Sequence, residues 1–537
     1  MYFPFRHEFG TNYDDEVKHE VIKTIETANA IVFHNAKFDL VSLRTMGIDY
    51  RGAFFCTAIM ANLINENWPM SKGLDALVKF YVSKNAGKAM PDNLMKFIKV
   101  FGWASVPAEV MYDYATTDAV ITLQLLEKLL PLYRREATQG IWEHKQKFIR
   151  TVIDMERRGV RVDVDKCKQL IEQGEARVDE LYKELGFNAN SSKQKKEFFI
   201  DKLGLPVVEY TDAGQPSFSK AVMPIYEQMM EDRFPGDVTV NKIREYMGWV
   251  HSLGLFYRPW VELLNADGRL RPNYRLHKDE DGGTTTGRLS CQNPNLQQIP
   301  RVTNKPWNKE VKKCLIPKDG YVLVEADYSQ LELRLATAYA NEQSLKDIFN
   351  EGRDIFTEMS YQMNLSRDDT KTFVYSTQYG AGNKRISDVF NVTRQQAQAL
   401  RDGYYATYPG FAAFSRSCEA AVYENKRVRI WSGRYRHFRN PEEEAHKAMN
   451  ACIQGGAADI VERVMVKCNE TFVDEENCRM LLQIHDSLVF EVKKEKLDEY
   501  AWKIKNTMES VNEIMDFGVK FHVDVEELGT GKALIND

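Results

Sequence analysis

The chain has 537 residues, of which 43% are hydrophobic and 28% are charged, and its formal net charge is −5 at pH 7. A chain of this length is too long for one hydrophobic core, so we expect three or four domains. The acidic balance argues against a simple basic nucleic-acid-binding protein, although a local basic stripe can lie on an acidic body.

The sequence predicts neither a membrane span nor an export signal. It has no run of 18 apolar residues, the length that a transmembrane helix needs. Residues 1–8 lack the apolar stretch of a signal peptide. Eight cysteines are scattered without a C-x-x-C pair. Buried free thiols in a reducing compartment are therefore favoured over disulfides or a zinc site.

The first third of the chain begins with alternating strands and helices. Residues 30–34 read as a buried strand, and Asn35 opens a helix that carries Asp39. A second helix is predicted downstream, where Tyr114 and Asp118, four residues apart, share one face. Taken singly, the two aspartates would be a helix-start acid and a surface acid.

Together, these four side chains resemble the second and third motifs of the 3′–5′ proofreading exonuclease fold. That chemistry uses two metal ions held by four carboxylates, with a tyrosine orienting the attacking water. The family's first motif, Asp-x-Glu on a strand, should lie upstream of residues 1–10. Residues 14–16 match that string, but they precede an apolar-periodic segment and read as acids in the first turn of a helix. We expect a partial, inactive exonuclease domain, or one that a separate or upstream polypeptide completes.

The middle of the chain is predicted to be mostly helical. Residues 130–150 read as a charged helical connector, residues 164–186 as a long amphipathic helix, and residues 220–265 as helical again. At residues 190–194, a helix N-cap is followed by a lysine. That pattern suits either phosphate contact or capping alone.

Polar, turn-rich segments follow, with a basic stripe after them. Arg288 and Gln297 have side chains that can reach the minor-groove acceptors common to every base pair. The stripe that follows is either a nucleic-acid contact or a solvated charged loop. It consists of Arg301, Lys305, Lys309, Lys312 and Lys313.

The segment from Val322 to Arg334 organises the rest of the chain. A run of apolar and β-branched residues ends at Asp327, and a helix is predicted from Leu331 to Ala340 after a short polar turn. A carboxylate at the tip of a rigid buried strand is well placed to hold a divalent metal ion.

A second segment carries Arg367, Lys371, Tyr375 and Tyr379. Because these residues recur every fourth position, they lie on one face of a single helix. Arginine can grip a phosphate in a bidentate manner and lysine supplies a point charge, so the face suits a triphosphate at one end and a base or sugar at the other. The alternative is a solvated basic face beside aromatic core neighbours.

The third segment, residues 480–492, reads as a β-hairpin with Asp486 at its tip. A His-Asp turn between apolar strands is unusual, since tight hairpins prefer Asn-Gly or Asp-Gly. Two aspartates at strand ends can hold two Mg²⁺ ions roughly 3.5–4 Å apart. The sparse ligand set suits Mg²⁺, which binds a few carboxylates together with substrate phosphates. Such chemistry needs positioning and charge neutralisation more than a protein base.

In combination, these motifs resemble the family A (Pol I-like) DNA polymerases, in a compact bacteriophage-type form. The resemblance implies an α+β multidomain fold in which a right-hand polymerase with palm, fingers and thumb follows the partial ribonuclease H-like exonuclease domain. The implied limits are 1–135 for the exonuclease-like domain, 136–285 for connector and thumb, 286–340 and 441–537 for the palm, and 341–440 for the fingers.

The resemblance also assigns roles to individual residues. Metal ligands would be Asp327, Asp486 and the carbonyl of Tyr328; the dNTP site would comprise Gln330, Glu332, Arg367, Lys371 and Tyr375; the primer and template would contact Arg288, Gln297, Tyr379, Gly380, Asn450, Gln454 and His485. Glu332 would exclude a ribose 2′-hydroxyl, and Lys371 would donate a proton to pyrophosphate.

Several positions depart from the family pattern. Ser487 stands where a glutamate is usual, Phe356 where many relatives have histidine, and His446 where arginine is common. These changes put metal affinity or rate and one triphosphate contact in doubt. Tyr375, in place of phenylalanine, resembles the relatives that accept dideoxynucleotides, so we predict weak dideoxy discrimination.

The implied function is primer extension with dNTPs, in phage DNA replication, using two Mg²⁺ ions that Mn²⁺ could replace. Primer–template DNA is the implied partner, and replicative helicase and primase are further candidates. We expect a monomer in the cytoplasm, meaning the host cytosol if the chain is phage-encoded. The competing interpretations are a single-subunit RNA polymerase, which Glu332 disfavours, and a non-catalytic DNA-binding subunit.

Overall fold

A computed structural model describes residues 2–84, 92–137, 140–300 and 304–535. Four larger hydrophobic cores are formed by the buried side chains of the N-terminal region, the outer thumb, the fingers and the palm with the thumb base. All eight cysteines are buried and free, as predicted. Within the described ranges, no helix has the length and apolarity to cross a membrane.

The N-terminal region packs helices around a short parallel sheet. Its helices are Asp15–Thr27, Ala36–Thr45, Thr57–Ile64, Leu74–Tyr81, Asp92–Phe101 and Ala108–Glu136, and its strands are Ala30–Phe33 and Ala53–Cys56. The acidic segment begins the first helix, where Asp14 accepts a hydrogen bond from the Val17 amide at 3.0 Å. The prediction of a helix start there is therefore confirmed.

The first strand differs from its predicted burial. Ala30 is exposed and the remaining strand residues are half-buried. The strand pairs only with Ala53–Cys56 in the part of the chain that the structure describes. The prediction of a buried strand was wrong, because a run of apolar residues reports hydrophobicity but not how many neighbouring strands cover it.

The predicted helical connector is interrupted. One helix ends at Glu136 and the next, Ile141–Arg158, begins after Gly140, whose φ of +89° lies in the left-handed region. Residues 138 and 139 lie outside the described ranges. Glycine adopts this conformation without steric cost, so the connector is two helices rather than one.

The thumb is helical, as predicted, with a break. Its helices are Val164–Leu185, Ser192–Lys196, Glu197–Lys202, Met223–Arg233, Thr239–Ser252, Leu253–Tyr257 and Arg258–Glu262. The segment 234–238 separates two helices within the stretch predicted as continuous. Ser191 accepts from the amide of Gln194 at 3.3 Å, which confirms the predicted N-cap.

Short strands close the base of the thumb. Val160–Val162 pairs antiparallel with Arg269–Leu270 and Leu315–Ile316, and Asn273–Arg275 pairs with Ser290–Gln292.

The palm is a five-stranded antiparallel sheet. In spatial order its strands are Cys478–Ile484, Ser487–Lys493, Tyr321–Tyr328, Val523–Glu527 and Lys532–Ala533. The long helix Ala448–Thr471 and the helix Leu497–Glu509 belong to the same core, and the short helix Val511–Ile514 follows them. The predicted hairpin around Asp486 and the strand ending near Asp327 are both confirmed.

Helices form the fingers, inserted between the central palm strand and the long palm helix. After the helix Leu331–Ala340, which directly follows the central palm strand, they are Gln343–Asn350, Ile355–Met363, Arg367–Gln378, Asn383–Phe390, Arg394–Thr407 and Pro409–Asn425, and the strands Arg427–Arg429 and Tyr435–His437 follow. The helices predicted at Leu331 and Arg367 begin where the sequence placed them.

The basic stripe is partly neutralised. Lys312 pairs with Glu325 at 2.7 Å and Lys313 pairs with Glu310 at 2.9 Å. Arg301 lies outside the described residues. Glu310 lies within the basic run itself and Glu325 lies 13 residues after Lys312, so the run carries less net positive charge than its lysines alone suggest.

Candidate active site

Strand register brings the two key aspartates together. Asp327 lies near the end of the central palm strand, and the sheet pairs it with Ser487, the residue directly after Asp486. Asp486 sits in the two-residue turn between Ile484 and Ser487. The two carboxylates therefore belong to adjoining strand ends on one edge of the palm.

The carboxylates suit a divalent cation. Burial raises the pKa of Asp486, although Arg288 acts in the opposite direction. A buried carboxylate of this kind is stabilised in its charged form by a nearby cation. The described residues contain no group of three or more His, Cys, Asp or Glu side chains that could hold a metal ion. The candidate set is thus two aspartates, a small set of hard oxygen ligands that suits Mg²⁺.

The turn that carries Asp486 is held from several sides. His485 has a φ of +58°, in the left-handed region. The Gln483 side-chain amide donates to the His485 carbonyl, and the Ser487 hydroxyl donates to the Ile484 carbonyl at 3.0 Å. His485 itself is exposed, where a nucleic acid could reach it.

Ser487 faces a second acid on the sheet. Its hydroxyl lies 3.4 Å from a carboxylate oxygen of Glu325, which in turn is paired with Lys312. Glu325 is two residues before Asp327, so both point to the same side of the strand. A carboxylate therefore lies beside position 487, and no local sequence pattern indicates it, because the two residues are 162 apart.

Glu332 is the centre of a polar cluster. Its carboxylate accepts from the guanidinium of Arg288, and the Tyr379 hydroxyl donates to it at 2.8 Å. The Glu332 side chain is only 12% exposed. The ring of Tyr375 lies stacked on that of Tyr379, with centroids 6.3 Å apart. Burial, together with the neighbouring Glu332, raises the pKa of Tyr379.

Two of the residues predicted to contact DNA have hydrogen-bond partners within the protein. Arg288 was predicted to face the minor groove, yet here its guanidinium is paired with Glu332. Gln297 was also predicted to face DNA, yet it is 8% exposed and donates to the Gln483 side chain at 2.6 Å. The Arg288 side chain is 37% exposed and Gln297 is buried, and the partners of both come from segments that no local pattern connects to them.

The cationic helix face lies over an aromatic ring. Arg367 pairs with Asp354 through two hydrogen bonds of 2.7 and 3.0 Å. The cationic groups of Arg367 and Lys371 lie 5.9 and 5.8 Å from the centroid of the Phe356 ring. Phe356 is buried. Phe356 therefore gives the two cations an aromatic partner.

The remaining predicted site residues lie around this centre. Gly380 has a φ of +79°, and a Cβ there would lie 2.8 Å from the His446 carbonyl oxygen, so glycine is required. Asn450 and Gln454 are half-buried on the long palm helix. The side-chain oxygen of Asn450 has no hydrogen-bond partner among the described residues. Gln330 precedes the helix Leu331–Ala340 with a φ of +51°.

The exonuclease-like residues lie in the N-terminal region. Asp39 is half-buried, and burial raises its pKa to about 6. Tyr114 bonds to Asp118, and burial followed by that aspartate raises the pKa of Tyr114 to about 12. Burial raises the pKa of Asp118 too, with a contribution from Asp75. Asp75 was missed, because it reads as an ordinary acid at a helix start.

Asn35 is exposed at the start of its helix, with a φ of +63°. In the described part of the chain before residue 30, the structure has a helix and no strand. The segment 14–16 therefore contributes a helix start there and not a strand-borne pair of metal ligands.

A sheet with two aspartates at adjoining strand ends, in a chain that also carries a helix with arginine and lysine on one face, defines the class of right-hand nucleic-acid polymerases. A family model described as DNA polymerase family A matches residues 161–532, and one described as 3′-5′ exonuclease matches residues 10–133. The chain belongs to DNA polymerase family A.

Similar proteins support this assignment. The thermostable DNA polymerase I of Thermus aquaticus is 32% identical over 413 residues, which cover 72% of this chain and 46% of that protein. DNA polymerase I of Chloroflexus aurantiacus is 27% identical over 521 residues, covering 92% and 54%. The chain spans about half the length of the curated relatives it matches.

A solved structure has the same fold. It is the POL domain of Pol1 from M. smegmatis in complex with DNA primer-template and dNTP, with a TM-score of 0.79 at 21% identity. The match covers 98% of this chain and 89% of that one.

Proposed function

We propose that the chain is a template-directed DNA polymerase that adds dNTPs to a primer 3′-hydroxyl. The observation that carries this proposal is the placement of Asp327 and Asp486 on adjoining strand ends, in a fold whose fingers helix carries Arg367 and Lys371. The domain limits given above are part of the same proposal.

Asp327, Asp486 and the carbonyl of Tyr328 would hold divalent metal ions, which we propose to be two Mg²⁺, with Mn²⁺ as a substitute. When bound, such ions lower the pKa of an attacking hydroxyl and neutralise the leaving pyrophosphate. The aspartates fix the position of that charge, because both are held at strand ends of the rigid palm sheet.

Arg367 and Lys371 would bind the triphosphate. The pair between Arg367 and Asp354 is half-exposed, and such pairs are weak. A triphosphate can therefore replace Asp354 as the partner of the guanidinium, and Lys371 can deliver a proton to pyrophosphate. Tyr379 and Gly380 would border the templating base.

Glu332 would act as the gate against ribonucleotides. Its carboxylate is fixed by two donors, Arg288 and Tyr379, so it cannot readily move aside for a 2′-hydroxyl. Tyr375 lies beside this gate and Gln330 just before it in the chain. On primer binding, Arg288 and Gln297 would keep these internal partners and donate their remaining N–H groups to minor-groove acceptors, alongside Asn450, Gln454 and His485.

For the N-terminal domain we propose absent or impaired proofreading in this chain. The proposal is supported by residues 14–16, which match the Asp-x-Glu string but begin a helix instead of standing on a strand. We further propose a monomer that acts in phage DNA replication, with helicase and primase as candidate partners.

The test is primer extension with Mg²⁺ using dNTPs, rNTPs or no nucleotide. We expect extension with dNTPs alone and an intact primer in the lane without nucleotide. Extension with rNTPs would favour the RNA polymerase alternative, and no extension would favour a non-catalytic subunit. Rapid shortening of the primer by this chain would overturn the proposal about proofreading.

A further inference from the structure

A continuous path of hydrogen bonds joins the N-terminal domain to the turn that carries Asp486. It begins at Lys37, whose ammonium group donates to Glu156 at 2.7 Å, to the Asn273 side chain at 2.6 Å and to the Tyr274 carbonyl at 2.6 Å. Three acceptors match the three protons of an ammonium group. The Lys37 side chain is 14% exposed, so this is a largely enclosed contact.

The second step runs through Glu156 and Tyr274. The carboxylate oxygen that binds Lys37 also accepts from the Tyr274 amide at 2.6 Å. Tyr274 is completely buried. At the far end of its ring, the hydroxyl accepts from the Gln483 amide and donates to the Gln483 carbonyl, both at 3.1 Å.

The position of Gln483 in the sheet is the reason why its backbone needs the Tyr274 hydroxyl as a hydrogen-bond partner. It lies on Cys478–Ile484, the outermost strand of the palm sheet, so backbone groups that point away from the sheet have no neighbouring strand. A buried backbone group without a partner is destabilising. One hydroxyl satisfies both groups of Gln483, two residues before the left-handed turn at His485.

The turn depends on its surroundings. A non-glycine residue in the left-handed region is disfavoured and persists where neighbouring contacts hold it. The Gln483 side chain supplies one such contact to the His485 carbonyl, and Gln297 fixes that side chain from the other side. Displacement of Gln483 would therefore displace Asp486.

We propose that Tyr274, held in place by Lys37 and Glu156, is a positioning residue for Asp486, so that the N-terminal domain serves as a fixed support for the polymerase site. This proposal rests on the polymerase function proposed above. It gives the exonuclease-like domain a role that does not require nuclease activity.

The test is Tyr274→Phe, which removes one oxygen from a buried ring. Tyr226→Phe is the matched control, because Tyr226 is also completely buried and its hydroxyl also bonds a backbone carbonyl and a backbone amide, in the thumb. In single-turnover incorporation we expect Tyr274→Phe to lower the maximal rate about 3- to 10-fold, the range for one lost hydrogen bond. The apparent Kd for dNTP should change less than about twofold, because the triphosphate contacts remain. Equal rates for the two variants would overturn the proposal.

Lys37→Met tests the remote end of the path. We expect it to lower the maximal rate about 2- to 5-fold, within the same range. The double variant with Tyr274→Phe should be no slower than Tyr274→Phe alone, because both act through one path. If the rate reductions of the two single variants multiplied in the double variant, a shared path would be contradicted.

Hydrogen exchange separates this proposal from the proposed function. If the wild-type chain fails to extend primers, the function fails, whereas exchange at the Gln483 amide still tests the path. We expect faster exchange in Tyr274→Phe and in Lys37→Met but not in Tyr226→Phe. Unchanged exchange at Gln483 in both test variants would overturn the proposal.

Discussion

Glu325 disfavours a second negative charge at position 487. This predicts the effect of replacing Ser487 with the glutamate that is expected there in the family. The Ser487 hydroxyl lies 3.4 Å from a Glu325 oxygen, and Ser487 is 4% exposed. A second carboxylate about 4 Å away would be repelled by about 4 kcal/mol at an effective dielectric constant near 20. Lys312, 2.7 Å from Glu325, offsets part of that repulsion. We expect Ser487→Glu to lower the free energy of unfolding by about 2–4 kcal/mol.

The assay is urea unfolding in EDTA at low salt. Ser487→Gln is the matched control, since it has the same size without the charge, and it should lose less than half as much stability. The double variant Ser487→Glu with Glu325→Ser should recover most of the loss, because it exchanges the two groups across the strands. Equal unfolding free energies for Ser487→Glu and Ser487→Gln would refute the electrostatic reasoning.

Three further predictions concern the fingers and the palm helix. Asp354→Asn releases Arg367 from a half-exposed ion pair, so the apparent Kd for dNTP should fall up to about fivefold. A Kd higher than that of the wild type would contradict competition between Asp354 and the triphosphate for Arg367. Tyr375→Phe should increase discrimination against dideoxynucleotides by about tenfold, the effect of one hydrogen bond, and strong discrimination that persists unchanged would count against Tyr375. Burial acts to raise the pKa of Glu462, yet Lys145 and His144 lower that pKa to about 2. The charged Glu462 stabilises the folded state by about 3 kcal/mol, for a pKa lowered from 4.5 to 2. This contribution is complete above pH 4.5 and is lost as the pH falls towards 2. The difference in unfolding free energy between wild type and Glu462→Gln, measured by urea unfolding, should therefore narrow from pH 5 to pH 3. A constant difference would refute that linkage.

Local patterns predicted the parts of the site that local chemistry determines. The strand ending near Asp327, the helix from Leu331 and the helix from Arg367 follow from apolar runs and four-residue spacing. The hairpin at Asp486 follows from two apolar strands around a polar pair. Each of these signals lies within about a dozen residues, so no knowledge of tertiary contacts was needed.

Long-range pairing is what the sequence alone did not reveal. Nothing near Arg288 signals that Glu332 is its partner, and nothing near Gln297 signals Gln483. Likewise, the exposure of Ala30 depends on the number of strands beside it. Side-chain partners from distant segments decide whether a polar residue faces solvent or the interior, and a single sequence does not contain that pairing.

The central claim is that the two palm aspartates carry nucleotide transfer. The most direct measurement is single-turnover incorporation of a dNTP by Asp486→Asn, alongside primer–template binding by the same variant. We predict that incorporation falls at least about 1,000-fold, the scale of losing a principal electrostatic contributor, while DNA binding changes less than about threefold. Near-normal incorporation by Asp486→Asn would contradict the account, because the hairpin turn would then not belong to the reacting centre.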